Sequence, residues 1–111
     1  MTLTRWWFTL TAIAAALAAV PAVAADMDAA KKKVTEVCQA CHGMDGNSPL
    51  PDNPKLAGQN RDYLAKALRD YKSGARKNPI MSGFAGALTK DDIDNLAAYY
   101  ASQPSVLSTK Y

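Results

Sequence analysis

Both cysteines of the chain and its only histidine fall within V-C-Q-A-C-H-G at 37–43. Residues three apart share one face of a helix, so Cys38 and Cys41 can turn both sulfurs toward one flat object while His42 reaches its centre. C-x-x-C-H is the attachment signature of c-type haem. Two thiols add to porphyrin vinyl groups as thioethers, and the imidazole Nε2 binds iron from the same side. Other uses of the residues fit less well. A Cys38–Cys41 disulfide closes too short a loop to stabilise much. A thioredoxin-like pair needs a βαβ setting, which this chain lacks. A zinc site needs four N or S ligands, and the chain offers three.

The first residues read as an export leader. Arg5 is the only charge before Asp26, and W-W-F-T-L-T-A-I-A-A-A-L-A-A-V-P-A-V-A-A runs between them, apolar and ending in small residues. Residues 1–25 are therefore expected to be cleaved, leaving a haem domain over 26–111, in the periplasm. Uncleaved, the same run is about long enough to anchor the protein in a membrane. So short a domain gains limited stability from one apolar core, and something else is expected to help hold it. Lys and Arg number 13 against 10 Asp and Glu. The slight excess has no block beyond Lys31–Lys33, which reads as a solvated face, so nucleic-acid binding is not expected. In an oxidising compartment two free cysteines pair unless otherwise engaged.

Along the domain, Ala30, Val34, Val37, Cys38 and Cys41 recur at helical spacing, and Gly43 ends that helix. Residues 43–60 are rich in Gly, Pro, Asn and Asp and predict a long loop. A second helix is predicted from about Arg61 to Ser73, with Leu64, Leu68 and Tyr71 on one stripe and Gly74 as its stop. Another loop follows through Pro79 and Met81. The last helix begins at Thr89, with Asp92 placed for a T-x-x-D capping box, and carries Ile93, Leu96, Ala97 and Tyr100 as its stripe. No strand alternation is convincing. The fold class is all-α: about three main helices and long loops wrapped around one haem.

Iron in such a site has a sixth position, and without a second histidine the candidates are methionines. Met27 precedes the attachment helix, and Met44 lies too close to His42 to reach the opposite side. Met81, in N-P-I-M-S-G-F-A-G, has the reach to cross the porphyrin edge. Alone it would read as core filling; with a haem to cover, it reads as the second axial ligand.

V-C-Q-A-C-H-G at 37–43, P-K-L-A-G-Q at 54–59, Y-L-x-x-x-L-x-x-Y-x-x-G at 63–74, Met81 and L-A-A-Y-Y at 96–100 together resemble the class I c-type cytochromes. They are similar in particular to one half of the exported dihaem members. The resemblance implies that Pro54 offers its carbonyl to His42 Nδ1 and that Leu56 packs on the His42 side of the haem. It also implies that the first and last helices cross, with Ala30 and Val34 facing Leu96 and Tyr99 or Tyr100. Arg76 and Asn78 are partners for a propionate or for the Met81 segment, although a solvated charge is an equal reading of Arg76. Leu56, Leu64, Leu68, Ile80, Phe84 and Leu88 are expected as an apolar wall that keeps water out. One C-x-x-C-H predicts one haem c.

With both axial positions filled by protein, the chemistry left is one-electron exchange rather than catalysis. The expected function is electron transport by transient contact with redox proteins, a donor dehydrogenase or cytochrome complex and an acceptor oxidase or reductase. Two alternatives stay open: a cytochrome subunit of a periplasmic dehydrogenase, and a haem enzyme or gas sensor with labile Met81.

Overall fold

The computed structural model describes residue 16, residues 18–19 and residues 23–107. The leader expected at 1–25 lies almost wholly outside the described residues. Among the described residues, no helix is long and apolar enough to cross a membrane, and all regular structure is helical.

The first helical run spans residues 27–42 in three parts. Helix α1 (Met27–Lys33) starts at Asp26, whose carboxylate accepts from the Ala29 N–H. A wide turn follows at Val34–Cys38, in which the Gln39 N–H reaches back to the Val34 carbonyl. Helix α2 (Gln39–His42) then ends at Gly43, which has φ +79°. Wide turns of this kind occur mostly as single insertions in α-helices, often at functional sites. This one divides a stripe that the sequence places on one face. Ala30 and Val34, 1% and 0% exposed, belong to the core, whereas Val37, Cys38 and Cys41 line a cavity.

Helix α3 (Arg61–Ser73) has the expected bounds, capped by the Asn60 side chain and stopped by left-handed Gly74 at φ +85°. Next comes a departure from expectation. Pro79–Gly86, read from sequence as loop, is helix α4. Asn78 starts it, accepting at Oδ1 from the N–H groups of Ile80 and Met81, both at 3.0 Å. Pro79 sits at the first helical turn, where its missing N–H costs nothing. These two residues outweigh Gly83 and Gly86, which the sequence pattern takes as breakers. Helix α5 (Lys90–Ala101) opens with the full capping box between Thr89 and Asp92.

α1 packs across α5, and α3 packs on both α4 and α5. The core is Ala30, Val34, Leu64, Ala65, Ala85, Leu88, Ile93, Leu96, Ala97, Tyr99 and Tyr100. Small Ala30 lets α1 approach α5 closely, and the Asp26 N–H ties the crossing by donating to Asn95 Oδ1 at 2.9 Å. Lys33 and Asp92 also meet across it at 3.9 Å. An exposed ion pair contributes about 0–1 kcal/mol, against about 1.5–3 kcal/mol for each large apolar side chain removed from water. Burial therefore holds the crossing, and the charges decorate it.

Removing the Thr89 hydroxyl (Thr89→Ala) is expected to cost about 1 kcal/mol at every pH. Asp92→Ala should behave differently. The hydrogen bond from the Thr89 N–H is the main cause of an Asp92 carboxyl below the ordinary carboxylate range. A group depressed in the folded state stabilises above its unfolded value and loses that contribution as pH falls through its folded value. The Asp92→Ala penalty should thus fade in acid while the Thr89→Ala penalty persists, as thermal midpoints at neutral and acidic pH would show.

Candidate functional site

A cavity of about 390 Å³ lies between the first helical run, the 52–59 loop, α3, α4 and α5. Cys38, Cys41, His42, Pro54, Leu56, Leu64, Leu68, Ile80, Met81 and Phe84 all line it. The ten residues singled out in the sequence are therefore brought together. Leu88 is not among the lining residues: it follows the end of α4 and is 8% exposed within the core, and its place in the expected apolar wall is corrected accordingly.

His42 is 8% exposed, and its Nδ1 lies 2.8 Å from the Pro54 carbonyl oxygen. A carbonyl can only accept, so Nδ1 carries the proton and donates it. The tautomer is thereby fixed, and the Nε2 lone pair is left for a metal, as an outer partner does for a ligating histidine. Among the described residues, nothing hydrogen-bonds Nε2.

The loop carrying Pro54 is pinned to the end of α2. Gly46 O accepts from the N–H groups of Leu56 and Ala57 at 2.7 and 3.1 Å. Gly46 has φ +76°, and a Cβ there would stand 2.7 Å from both the Ala57 nitrogen and the Tyr100 ring. Only glycine fits. Above it the two tyrosines of α5 hold the same stretch: Tyr99 OH donates to Met44 O at 2.9 Å and Tyr100 OH to Gly43 O at 3.2 Å. Ser48, 2% exposed, has its hydroxyl 2.9 Å from Cys41 O and 3.0 Å from Leu50 O. Sequence reasoning took the tyrosines as core stripe only and passed over Ser48. The tyrosine hydroxyl contacts span dozens of residues, and no local pattern announces them.

Cys38 and Cys41 are free and half-buried. Burial pushes the Cys38 thiol above its usual range, and Lys33 nearby opposes this only in part. Tyr100, buried and facing Cys38, is likewise pushed up, so its hydroxyl keeps its proton as a donor. Met44 is directed away: its sulfur takes the Thr35 hydroxyl at 3.7 Å, and it packs against the core. Met27 begins α1 and is 39% exposed. Of the described methionines, Met81 alone lines the cavity. At the cavity edge Arg76 donates to Tyr63 OH at 3.3 Å and lies 4.9 Å above the Tyr71 ring. Asn78 serves the Met81 segment as its cap. Tyr63 and Ala67 also line the cavity, and Ala67 was legible as a member of the Leu64–Leu68–Tyr71 stripe.

The lining suits a flat, largely apolar group with a metal at its centre. Its volume is in the roughly 300–1,000 Å³ range of small-molecule sites. Tyr63, Ile80 and Phe84, exposed by 50%, 65% and 49%, face one concavity, and contiguous exposed apolar surface of this kind marks a binding site. Two thiols, one oriented imidazole and one thioether are the donors that a c-type haem takes.

Comparison with known proteins agrees. Residues 25–99 match the family described as "Cytochrome C oxidase, cbb3-type, subunit III". Cytochrome c4 of Stutzerimonas stutzeri is 46% identical over 89 residues, covering 72% of this chain and 42% of that protein. Cytochrome c-554(548) of Halomonas halodenitrificans is 40% identical over 83 residues, covering 72% of this chain and 99% of that protein. The solved structure of reduced recombinant cytochrome c4 from Pseudomonas stutzeri shares 44% identity at a TM-score of 0.69, over 76% of this chain and 48% of that one. The fold is thus the cytochrome c fold, and the chain belongs to the class I c-type cytochromes. Membership implies covalently bound haem c. The chain spans less than half the length of the cytochrome c4 proteins it matches.

Gly46→Ala should be among the most damaging single-atom additions in the chain. It strains a left-handed backbone and pushes on Ala57 and Tyr100, so the Pro54 carbonyl moves relative to His42. A stability loss of roughly 1–3 kcal/mol is expected, together with a shifted reduction potential in the haem-loaded protein. A variant with wild-type melting and potential would show that this contact is not what fixes the loop.

Proposed function

We propose that this chain is an exported one-electron carrier working through a single haem c, attached at Cys38 and Cys41 and ligated by His42 and Met81. The observation that carries the reading is the His42 Nδ1 to Pro54 O hydrogen bond at 2.8 Å, in a cavity that also holds both thiols and Met81. It dictates which nitrogen can bind iron and fixes the ring before any metal arrives. Bound haem supplies reversible one-electron chemistry at its iron, at a potential that His/Met ligation raises.

The chain's own residues supply the rest. His42 presents Nε2 to the metal, its ring oriented by the Nδ1–H donated to the Pro54 carbonyl. Met81 presents a soft sulfur that prefers ferrous iron. Leu56, Leu64, Leu68, Ile80 and Phe84 keep the surroundings apolar, which disfavours additional positive charge. Arg76, held by Tyr63 and Tyr71, is suited to neutralise a carboxylate at the cavity edge. With both axial sites taken by protein, the reading assigns the chain no catalytic step of its own. Residues 1–25 act as the cleaved leader, which puts the 26–111 domain in the periplasm. Partners are redox proteins met through small, transient contacts.

A second reading has a specific observation behind it. Relatives include a "Thiosulfate dehydrogenase electron acceptor" of Thiomonas intermedia, 45% identical over 65 residues. Another is a "Cytochrome subunit of sulfide dehydrogenase" of Chlorobaculum tepidum, 33% identical over 85 residues. On that reading the same site takes electrons from a tightly held dehydrogenase, and a larger chain copurifies with it.

Protein expressed with its leader should be coloured and keep haem through a denaturing gel stained for it. Cys38→Ser combined with Cys41→Ser should abolish the stain. Colourless, well-folded periplasmic protein would overturn the reading. Met81→Ala should retain covalent haem, lower the reduction potential and let exogenous ligands bind. An unchanged potential would remove Met81 from the iron.

A further inference from the structure

Helix α4 carries Met81 and packs on α3, yet it is short and buries little of itself. It is eight residues long, well under the roughly 12–15 at which an isolated helix becomes even marginal in water. Ala85 is its only buried residue. Beyond its packing on α3, its position depends on contacts at its ends. Asn78 secures the first turn. At the other end the last carbonyls of a helix lack intrahelical donors, and there the chain spends one long side chain. Lys72, from the final turn of α3, donates its Nζ to Gly86 O at 3.0 Å and to Leu88 O at 2.6 Å. A cation at a helix C-terminus is also favoured by the helix dipole. The two carbonyls bracket the junction between α4 and α5, so one ammonium fastens that junction to α3.

We infer that Lys72 is a positioning residue for Met81, clamping the C-terminal end of α4 to α3 and so setting how firmly the methionine occupies its axial place. This rests on the reading of Met81 as ligand. Lys72 is not itself among the residues that line the cavity, and its part in the site is played through the helix. Without the clamp, α4 keeps its Asn78 cap and its packing on α3 but loses the tie at its C-terminal end, and Met81 should yield more readily to a competitor for the iron.

The test is imidazole binding to the oxidised, haem-loaded protein, followed by absorbance, with the reduction potential measured beside it. Lys72→Met keeps the stem and removes the donors. It should tighten apparent imidazole binding by about tenfold, the scale of one net hydrogen bond, and lower the potential. Lys72→Gln should fall between, and Lys72→Arg, which can bridge both carbonyls, should restore wild-type behaviour. Lys66→Met is the control, since Lys66 pairs with Asp70 on the exposed side of the same helix, and it should change nothing. Imidazole affinity and potential in Lys72→Met equal to wild type, with Met81→Ala clearly altered, would overturn the inference and leave the ligand reading standing. Were Met81→Ala itself indistinguishable from wild type, the ligand reading would fall and this inference with it. A lower melting temperature without altered imidazole affinity would make Lys72 merely structural, which also overturns it.

Discussion

The hydrogen bond from His42 Nδ1 to the Pro54 carbonyl at 2.8 Å is the contact on which the site's geometry depends. It joins a helix end to an irregular loop, two elements with no intrinsic reason to keep a fixed distance. The molecule therefore surrounds it with other bonds between the same two pieces. Gly46 O takes two amides of the loop, and Tyr99 and Tyr100 reach across from α5 to Met44 and Gly43. Each is worth about 1 kcal/mol net. Together they form a connected network, in which losing one partner leaves a buried carbonyl unpaired and costs more than the mean. Glycine at 46 is the condition for all of it, because a side chain there would occupy the space of the Tyr100 ring.

α5 is the element that serves both halves of the architecture. Its Ile93 and Tyr99 belong to the core alone, while Leu96, Ala97 and Tyr100 are at once core and cavity lining. A crossing secured by apolar burial thus fixes one cavity wall with no polar contribution needed. α3 builds the facing wall from Leu64, Ala67, Leu68 and Tyr71, an i, i+3, i+4, i+7 spacing that a helix turns into one stripe. The division explains why so small a domain buries Ala30 of α1 and Ile93, Leu96 and Ala97 of α5 to 2% exposure or less and leaves Ile80 and Phe84 of α4 largely exposed: the first set holds the scaffold, and the second lines the site.

What could be read from the sequence was whatever is local and periodic. The stripe of α3 and its Gly74 stop, the Thr89–Asp92 box and the C-x-x-C-H cluster each state their geometry within a few residues. The Pro54 contact was legible only through resemblance to a family. α4 was missed because Gly83 and Gly86 lower its propensity, whereas its formation depends on Asn78 and on packing against α3, which a local window cannot weigh. The wide turn at Val34–Cys38 was missed because V-T-E-V-C carries an ordinary helical pattern; only the competing demands of α5 on Val34 and of the cavity on Cys38 call for the extra residue in the turn. Tyr99 and Tyr100 showed their apolar faces in the pattern and not their hydroxyls.

These differences make the two sides of the site mechanically unequal. On the histidine side, α2, the loop and α5 converge through several short hydrogen bonds, and the ring is 8% exposed. On the methionine side stands a single eight-residue helix with one buried alanine, packed on α3 and held at its ends by Asn78 and Lys72. In such a frame motion concentrates in the element with the fewest buried contacts. If His42 and Met81 are the axial pair, ligand loss and any access of small molecules to the iron must begin at α4, while the His42 side stays put. On the proposed ligation, the same asymmetry keeps the His42 side fixed and confines adjustment to one short helix, so that tuning the chain's redox behaviour is a matter of how tightly α4 is fastened rather than of rebuilding the core.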